Sequence, residues 1–280
     1  MTFREKAGQF RGFLRGIVWV HTIARKRSIV CKGVAMPDKL TEAVTSAIRE
    51  LVDANHILFD QGVVDGFGHV SVRHPDRADR FLLARSMAPA LVTETDVLEF
   101  DLEGNPVEKG GPAAYLERFI HGEIYRKRPD VSAVVHSHSP SVVPFGVVAG
   151  TKLRPMFHMC GFLGAGTPVF EIRDFAGNGS DLLISNNHLG AALAQSLGEG
   201  PAVLMRGHGS TVVGSNLRQV VFRAVYTEVG ARLQTEAMRL GPVTYLTEEE
   251  TVATTNTIGT QIDRAWFLWL KAARKRSMAS

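Results

Sequence analysis

Cysteine is scarce in this sequence, and its scarcity excludes two common kinds of protein. Cys31 and Cys160 are the only cysteines in 280 residues. Two cysteines cannot build the disulfide framework of a small secreted protein, and no neighbouring spacing suggests a thiolate metal site. We therefore expect a reducing compartment, and a cytoplasmic location fits this expectation.

Long apolar runs are also absent from the sequence. A helix that spans a bilayer needs about 18 or more consecutive apolar residues, and the longest early candidate, residues 16–20, is far shorter. With 45% apolar and 21% charged residues, the composition is that of an ordinary globular protein. We predict a soluble protein without a membrane partner.

Positive charge is concentrated at the N-terminus and is not in excess elsewhere. Residues 1–35 carry eight Lys or Arg residues and a single acidic residue, whereas the whole chain has a net charge of +4. The remainder is thus slightly acidic, so we expect no nucleic-acid partner. We predict a basic N-terminal extension over 1–35, in preference to a targeting peptide because serine is sparse and no cleavage pattern is clear. Residues 36–280 are predicted to form a single domain.

What the sequence does contain is a mixture of helical and strand patterns. We predict helices at 41–56, 113–128, 189–197 and 217–240, and strands at 69–73, 81–84, 97–100, 132–136, 202–205 and 211–213. Because these elements follow no strict strand-helix-strand rhythm, they favour an α/β fold with a central mixed or largely antiparallel sheet covered by helices.

Three histidines give the clearest chemical signal. His136 and His138 are two residues apart at the end of an apolar strand, so their side chains point to one face. His208 lies between Gly207 and Gly209 at the end of another apolar strand, where glycine permits close backbone approach. Three neutral imidazoles suit Zn²⁺ or Mn²⁺ better than Mg²⁺ and leave positions open for substrate. The spacing alone also fits a buried histidine pair or a chance surface arrangement.

Glu117 is the candidate carboxylate of the same site. It shares helical spacing with Ile120, His121 and Ile124, which places it on an inward face of the helix predicted at 113–128. A buried carboxylate needs a cation or a proton, so it serves as a metal ligand or as an acid/base. The alternative is a structural ion pair with one of the two nearby arginines, Arg73 or Arg85. His121, one turn after Glu117, is placed to hydrogen-bond a metal ligand.

These residues lie in stretches that resemble the class II aldolase and adducin family, with supporting similarity from about residue 40 to 240. The matching stretches are 117–125, 128–130, 133–140 and 207–209. The resemblance implies a three-layer α/β/α domain with a central mixed, largely antiparallel sheet, and usually a tetramer with active sites at subunit interfaces. It further implies a divalent metal ion on His136, His138 and His208, with Glu117 as ligand or base.

Three stretches depart from the sugar-phosphate members of that family, which hold phosphate with a Gly-Thr-x-Gly-Asn loop, a Thr-Pro-Ser-Gly-like turn and two serines before the Glu. The sequence has Asp-Gly-Phe-Gly-His at 65–69, Ala-Arg-Ser-Met at 84–87 and Tyr-Leu at 115–116. The small donors that form an anion site are therefore lost, and we do not expect a phosphorylated sugar as substrate. The Tyr that follows a His in some aldolases is also replaced, since Met159 follows His158.

The replaced positions offer a different pocket, made of Phe67, His69, Arg85, Ser86 and His158. An Arg fork suits a planar carboxylate, and a Phe ring gives a flat apolar wall. These stretches resemble the family's decarboxylase branch, which acts on hydroxy-aromatic dicarboxylates such as dihydroxyphthalates and 3-hydroxy-2-methylpyridine-4,5-dicarboxylate from vitamin B6 breakdown. Structural interpretations are open for three of these residues: Arg85 as a salt-bridge partner, Phe67 as a core residue and His69 as a donor to a turn.

The resemblance thus predicts a metal-dependent carboxy-lyase that acts on a small aromatic carboxylate. Arg85, Ser86, Phe67 and His158 are assigned to substrate binding, and Glu117 or His69 to protonation of the ring carbon once carbon dioxide has left. Two alternatives are carried forward. One is an aldolase of a non-phosphorylated hydroxy-keto acid, and the other is an adducin-like scaffold, which the retained metal ligands disfavour.

Overall fold

A seven-stranded sheet forms the centre of the protein. The structure is a computed structural model that describes residues 40–277, so the predicted basic extension over 1–35 lies outside the described residues. The strands are β1 His69–Arg73, β2 Arg80–Ala84, β3 Val97–Asp101, β4 Ala133–Ser137, β5 Val169–Phe170, β6 Ala202–Met205 and β7 Gly209–Gly214. Their order is β3-β2-β1-β4-β7-β6-β5, and every neighbouring pair is antiparallel except β5 and β6.

Helices lie on both faces of this sheet. In the described part of the chain they are α1 Glu42–Asp60, α2 Phe119–Lys127, α3 Val143–Val147, α4 Arg173–Ala176, α5 Asn187–Leu197, α6 Leu217–Leu240, α7 Glu248–Gly259 and α8 Ile262–Ser277. None of them combines the length and apolar character that crossing a membrane requires.

Two apolar cores separate the layers, and alternate residues of each strand enter opposite cores. Val70, Val135 and Val212 belong to the core beneath α1, α6 and α8. Val134 and Val213 belong to the core beneath α2 and α5. The expected three-layer α/β fold with a mixed, largely antiparallel sheet is therefore confirmed.

Side-chain caps explain where the longer helices begin. Thr41 accepts a hydrogen bond from the Val44 amide, and Asn186 and Asn216 cap α5 and α6 in the same way. Thr247 forms a capping box with Glu250 at the start of α7. The helix predicted at 217–240 has the observed bounds, whereas α1 runs one turn beyond its predicted end at residue 56.

The prediction for residues 113–128 was wrong at its N-terminal end, because α2 begins only at Phe119. Tyr115 instead turns inward, where its ring lies 4.6 Å from that of His69 and its hydroxyl donates to the Met87 carbonyl. The Arg118 guanidinium donates to the Gly104 carbonyl and so holds residues 116–118 against the turn that follows β3. Glu117 therefore lies in a turn that leads into α2 and not on the helix itself.

Glycine allows α2 and α5 to pack against each other very closely. A Cβ atom placed on Gly190 of α5 would lie 2.6 Å from the Phe119 carbonyl oxygen and 2.9 Å from Cγ of Glu123. Backbone cannot yield at this contact without shifting a helix. This contact holds the start of α2, and with it the turn that carries Glu117, near the sheet.

We expect Gly190→Ala to lower the free energy of unfolding by about 1–3 kcal/mol, because the added methyl group overpacks the contact between α2 and α5. Gly179→Ala is the matched control, since nothing lies within 4 Å of a Cβ at that exposed position; it should change the value by less than about 0.5 kcal/mol. Urea unfolding followed by circular dichroism measures both. Equal losses in the two variants would contradict the close packing of the helices.

Candidate metal centre

The three predicted histidines meet at one end of the sheet. His136 lies near the end of β4, His138 follows that strand, and His208 lies in the turn between β6 and β7. The Nε2 atom of His138 is 3.2 Å from Nε2 of His136 and 3.0 Å from Nε2 of His208. The three imidazole nitrogens thus surround a single point.

Glu117 completes this cluster from the turn before α2. Its Oε2 atom lies 3.4 Å from Nε2 of His136 and 3.4 Å from Nε2 of His208. Its other oxygen, Oε1, accepts a hydrogen bond of 2.9 Å from the Ile184 amide. One carboxylate oxygen is therefore held by the backbone while the other faces the histidines.

The outer nitrogens of two rings set the direction of the inner ones. Nδ1 of His136 donates to the Ser210 carbonyl over 3.1 Å, and Nδ1 of His208 donates to the Leu182 carbonyl over 2.9 Å. Both rings therefore carry their hydrogen on Nδ1 and turn the lone pair of Nε2 toward the cluster, as metal-binding histidines do. Leu182 has φ 69°, and no other non-glycine residue in the described chain has positive φ, a strain that commonly accompanies functional sites.

Two glycines make room for His208. Gly207 has φ +66°, which favours glycine, and a Cβ atom on Gly209 would collide with the Ser137 carbonyl. The backbone of β7 can therefore approach β4 closely enough to bring His208 beside His138. The close approach expected from the Gly-His-Gly sequence is present.

The geometry of the cluster fits a divalent cation. Imidazole and carboxylate ligands lie about 2.0–2.2 Å from Zn²⁺, which places tetrahedral ligand atoms roughly 3.3 Å apart. The four candidate ligand atoms all lie within 4.8 Å of one another, and the neighbouring pairs are 3.0–3.4 Å apart. Glu117, His136, His138 and His208 can therefore hold one metal ion, and these are the residues that the sequence predicted.

Electrostatics favour the cation-binding protonation states of Glu117 and His138, but not that of His208. Burial opposes the charged form of Glu117, yet the imidazoles of His136 and His208 outweigh burial and hold its pKa well below the usual value. For His138, burial and the two neighbouring imidazoles lower the pKa to about 4. Burial also disfavours the charge on His208, but the Glu117 carboxylate raises its pKa overall, so a proton on His208 competes with a cation.

The structure excludes the structural ion pairs considered for Glu117. Arg73 donates to four backbone carbonyls, among them those of Tyr125 and Val131. Arg85 pairs through Nε with Asp96 over 2.7 Å. Neither guanidinium contacts Glu117. Arg85 is a salt-bridge partner, as one interpretation of the sequence had it, but it pairs with Asp96.

Two further predicted residues lie beside the cluster. The ring of Phe67 is 6.4 Å from that of His138 and its residue is 69% exposed, which rules out the interpretation as a core residue. His69 is buried, its ring lies 5.1 Å from that of His136, and its Nδ1 bonds His121. His69 is thus no donor to a turn, and His121 contacts His69 and not a candidate ligand.

The two remaining predicted substrate residues, Ser86 and His158, are both exposed. Ser86 is exposed at the end of the β2 hairpin, and its backbone amide donates to the Ala113 carbonyl. His158 is exposed on a short 3-10 segment that packs against α6 and α7. Its neighbour Phe162 lines a cavity beside Gly214, the end of β7 that lies away from His208. Within one chain, the structure does not bring His158 to the histidine cluster.

Several residues that build the site were not predicted from the sequence. Tyr115 was considered only as the replacement of a serine found in sugar-phosphate members of the family, but its ring packs on His69. Ser71 and Tyr125 continue a hydrogen-bonded chain inward from His69 and His121. Strand alternation places Ser71 on the same face as His69, so Ser71 could have been predicted from the sequence. The backbone donor at residue 184 could not, because any residue type provides a backbone amide.

Comparison with known proteins identifies the family of this chain. Residues 49–235 match the family model described as Class II Aldolase and Adducin N-terminal domain, and the chain belongs to this family. A solved L-fuculose 1-phosphate aldolase from Glaciozyma antarctica PI12 has a similar fold, with a TM-score of 0.66 and 22% identity over 86% of this chain and 93% of that chain.

Several similar curated proteins are decarboxylases. The chain is 40% identical to decarboxylase tropJ of Talaromyces stipitatus over 247 residues, which is 80% of this chain and 92% of that protein. It is 32% identical to 3,4-dihydroxyphthalate decarboxylase of Arthrobacter keyseri over 215 residues, 71% of this chain and 79% of that protein. These relatives support a lyase activity, in agreement with the decarboxylase branch inferred from the sequence.

We expect the purified protein to bind Zn²⁺ or Mn²⁺ stoichiometrically and His138→Ala to weaken this binding by more than about 100-fold, because it removes the ring that contacts both other histidines. Isothermal titration and elemental analysis of dialysed protein measure the effect. His188→Ala, which removes an exposed histidine of α5, should bind metal as the parent does. Metal retained at full affinity by His138→Ala would show that the cluster is not the binding site.

Proposed function

We propose that this chain is a divalent-metal-dependent decarboxylase of a hydroxy-aromatic dicarboxylate of the phthalate or pyridine type. The observation that supports it most is the cluster of Glu117 and three histidines, flanked by Phe67 where sugar-phosphate relatives hold phosphate. The similarity to decarboxylases, one of which is named for dihydroxyphthalate, supports the same reaction class. Such an enzyme would serve the breakdown of aromatic compounds.

A metal ion held by His136, His138, His208 and Glu117 would supply Lewis-acid stabilisation of the negative charge that develops when carbon dioxide leaves. Three imidazole nitrogens among four ligand atoms favour Zn²⁺ or Mn²⁺ over Mg²⁺, which prefers oxygen. Both oxygens of Glu117 are engaged, one by the Ile184 amide and the other at the histidines. Glu117 is therefore better suited as a ligand, and His69 is left as the residue that presents a hydrogen to the substrate.

Phe67 and Arg85 are the residues that we propose for substrate recognition. Phe67 is exposed beside His138 and offers an aromatic ring a flat contact. Asp96 engages Nε of Arg85, and no described carboxylate contacts its two terminal nitrogens, which can bind the carboxylate that is not lost. Ser86, exposed next to Arg85, is proposed as an additional hydroxyl donor.

We also propose a homotetramer with active sites at subunit interfaces. Phe67 and Leu116 are 69% and 65% exposed although each lies beside a candidate metal ligand. A neighbouring subunit would cover these apolar side chains, and it would be the source of a His158 that the chain itself does not bring to the site. A cytoplasmic location stays a prediction from the low cysteine content.

The reaction is tested by measuring carbon dioxide release from a panel of hydroxyphthalates and hydroxypyridine dicarboxylates. We expect release from at least one member, its loss after chelation and its return with Zn²⁺ or Mn²⁺, because the metal stabilises the charge left on the ring. Absence of release across the panel, together with cleavage of a hydroxy-keto acid, would instead establish the aldolase alternative. A stable protein that binds no metal and cleaves neither class would support the scaffold alternative.

Arg85→Met should raise KM for the dicarboxylate by about 10- to 100-fold with a smaller change in kcat, since a charge-assisted contact to the retained carboxylate is worth about 1.5–3 kcal/mol. Steady-state kinetics on the substrate found in the panel measure this split. Arg239→Met is the control, because Arg239 is exposed on α6 and bonds only Glu236 among described residues. A normal KM in Arg85→Met would remove Arg85 from the binding site.

A further inference from the structure

A continuous chain of hydrogen bonds runs inward from His69. Nδ1 of His69 lies 2.7 Å from Nε2 of His121, and Nδ1 of His121 lies 2.6 Å from Oγ of Ser71. Oγ of Ser71 lies in turn 2.7 Å from the hydroxyl of Tyr125. All four residues are buried, with His121 and Ser71 at 0% exposure. Water therefore cannot complete a bond that is left unmade at His121, Ser71 or Tyr125.

The hydrogens of this chain can be assigned from the number of donors and acceptors. Burial lowers the pKa of His121 to about 3, so its ring is neutral at pH 7 and donates from one nitrogen only. If Tyr125 donates to Ser71, Ser71 donates to His121 and His121 donates to His69, every inner hydrogen has an acceptor. The hydrogen of His69 then lies on Nε2.

The opposite direction leaves a buried hydrogen without an acceptor. If His69 donated from Nδ1, His121 would donate to Ser71 and Ser71 to Tyr125. The hydroxyl hydrogen of Tyr125 would then have no acceptor, since that oxygen has no further hydrogen-bond partner in the described chain. A mixed arrangement with two donors toward Ser71 leaves the serine hydrogen unpaired instead. Unmade buried hydrogen bonds are costly, so the first direction is favoured.

The other nitrogen of His69 is the open end of the chain. Nε2 of His69 has no hydrogen-bond partner among residues 40–277. It is not among the fully buried side-chain atoms that lack a partner, so this nitrogen is open to solvent. The ring lies between Tyr115 and His136, with ring centres 4.6 and 5.1 Å away. The chain thus ends at a nitrogen beside the candidate metal centre.

We propose that His121, Ser71 and Tyr125 are positioning residues that hold His69 in the tautomer with hydrogen on Nε2, as a fixed donor facing the candidate metal centre. The atom that His69 meets must then be electron-rich, such as a carboxylate or phenolate oxygen, to which Nε2 donates a hydrogen bond. His69 cannot serve as a base there. This inference rests on the proposed function for the identity of the substrate, but the tautomer itself does not.

The ¹⁵N spectrum of histidine-labelled, sedimented protein tests the tautomer directly, with signals assigned by their loss in His69→Gln and His121→Gln. We expect hydrogen on Nε2 of both rings. Ser71→Ala removes the donor that fixes His121, so both tautomers of His69 should then appear. Tyr125→Phe is the matched variant, since it removes a hydroxyl of the same chain without reversing its direction, and it should keep hydrogen on Nε2. Hydrogen on Nδ1 of His69 in the parent protein would overturn the proposal.

Kinetics separate positioning from a merely structural role. With the substrate found in the panel, Ser71→Ala should lower kcat by up to about 100-fold, about the loss seen when one preorganised hydrogen-bond donor to developing charge is removed, with little change in KM. A variant that is less stable but keeps one tautomer and its kcat would contradict positioning. If no aromatic acid is decarboxylated, the proposed function fails, while the parent's ¹⁵N spectrum still decides the tautomer, even if Ser71→Ala does not fold.

Discussion

The register of β4 between β1 and β7 determines where the candidate metal centre lies. It sets His69 of β1 and Thr211 of β7 directly opposite His136. Side chains alternate between the faces of a sheet, so His136 shares its face with Val134, on the side of α2 and the Glu117 turn. A slip of one residue would turn His136 into the other core. The complete burial of Val134 and Val135 in opposite cores makes such a slip costly, and so the packing of the sheet protects the site.

The buried carboxylate of Glu117 imposes a second constraint. A buried charge is costly unless hydrogen bonds and opposite charges compensate it, and this one has the Ile184 amide on one oxygen and two imidazoles near the other. The same short segment provides the Leu182 carbonyl that orients His208. Polar contacts at both ends of residues 182–184 thus offset the unusual φ of Leu182. The strained segment and the candidate metal centre stabilise each other.

Much of this arrangement could be predicted from the sequence, because it depends on local periodicity. The strands at 69–73 and 202–205 and the helix at 217–240 have their predicted bounds, and the His-x-His spacing on a strand led directly to the cluster. The start of α2 could not be predicted, since long-range contacts of Tyr115 override helical spacing there. Helical spacing correctly predicted that Glu117 faces inward, although Glu117 lies in a turn and not on a helix. Helix α8 and the short β5 were missed, because burial of Trp266 and a two-residue pairing depend on tertiary packing.

In the proposed function, the replaced loops would suit a carboxylate group of the substrate better than a phosphate. The Asp65 carboxylate accepts from the Phe67 amide over 2.8 Å, so the loop's own acid occupies a donor that an anion would need. The Ser86 amide is likewise bonded to a carbonyl. Arg85 keeps its two terminal nitrogens available, but Asp96 already offsets part of its charge. A doubly charged phosphate would meet two carboxylates and few free amides, whereas a planar carboxylate needs only the Arg fork. In the proposed binding site, this charge balance would disfavour sugar phosphates by repulsion as well as by the loss of donors.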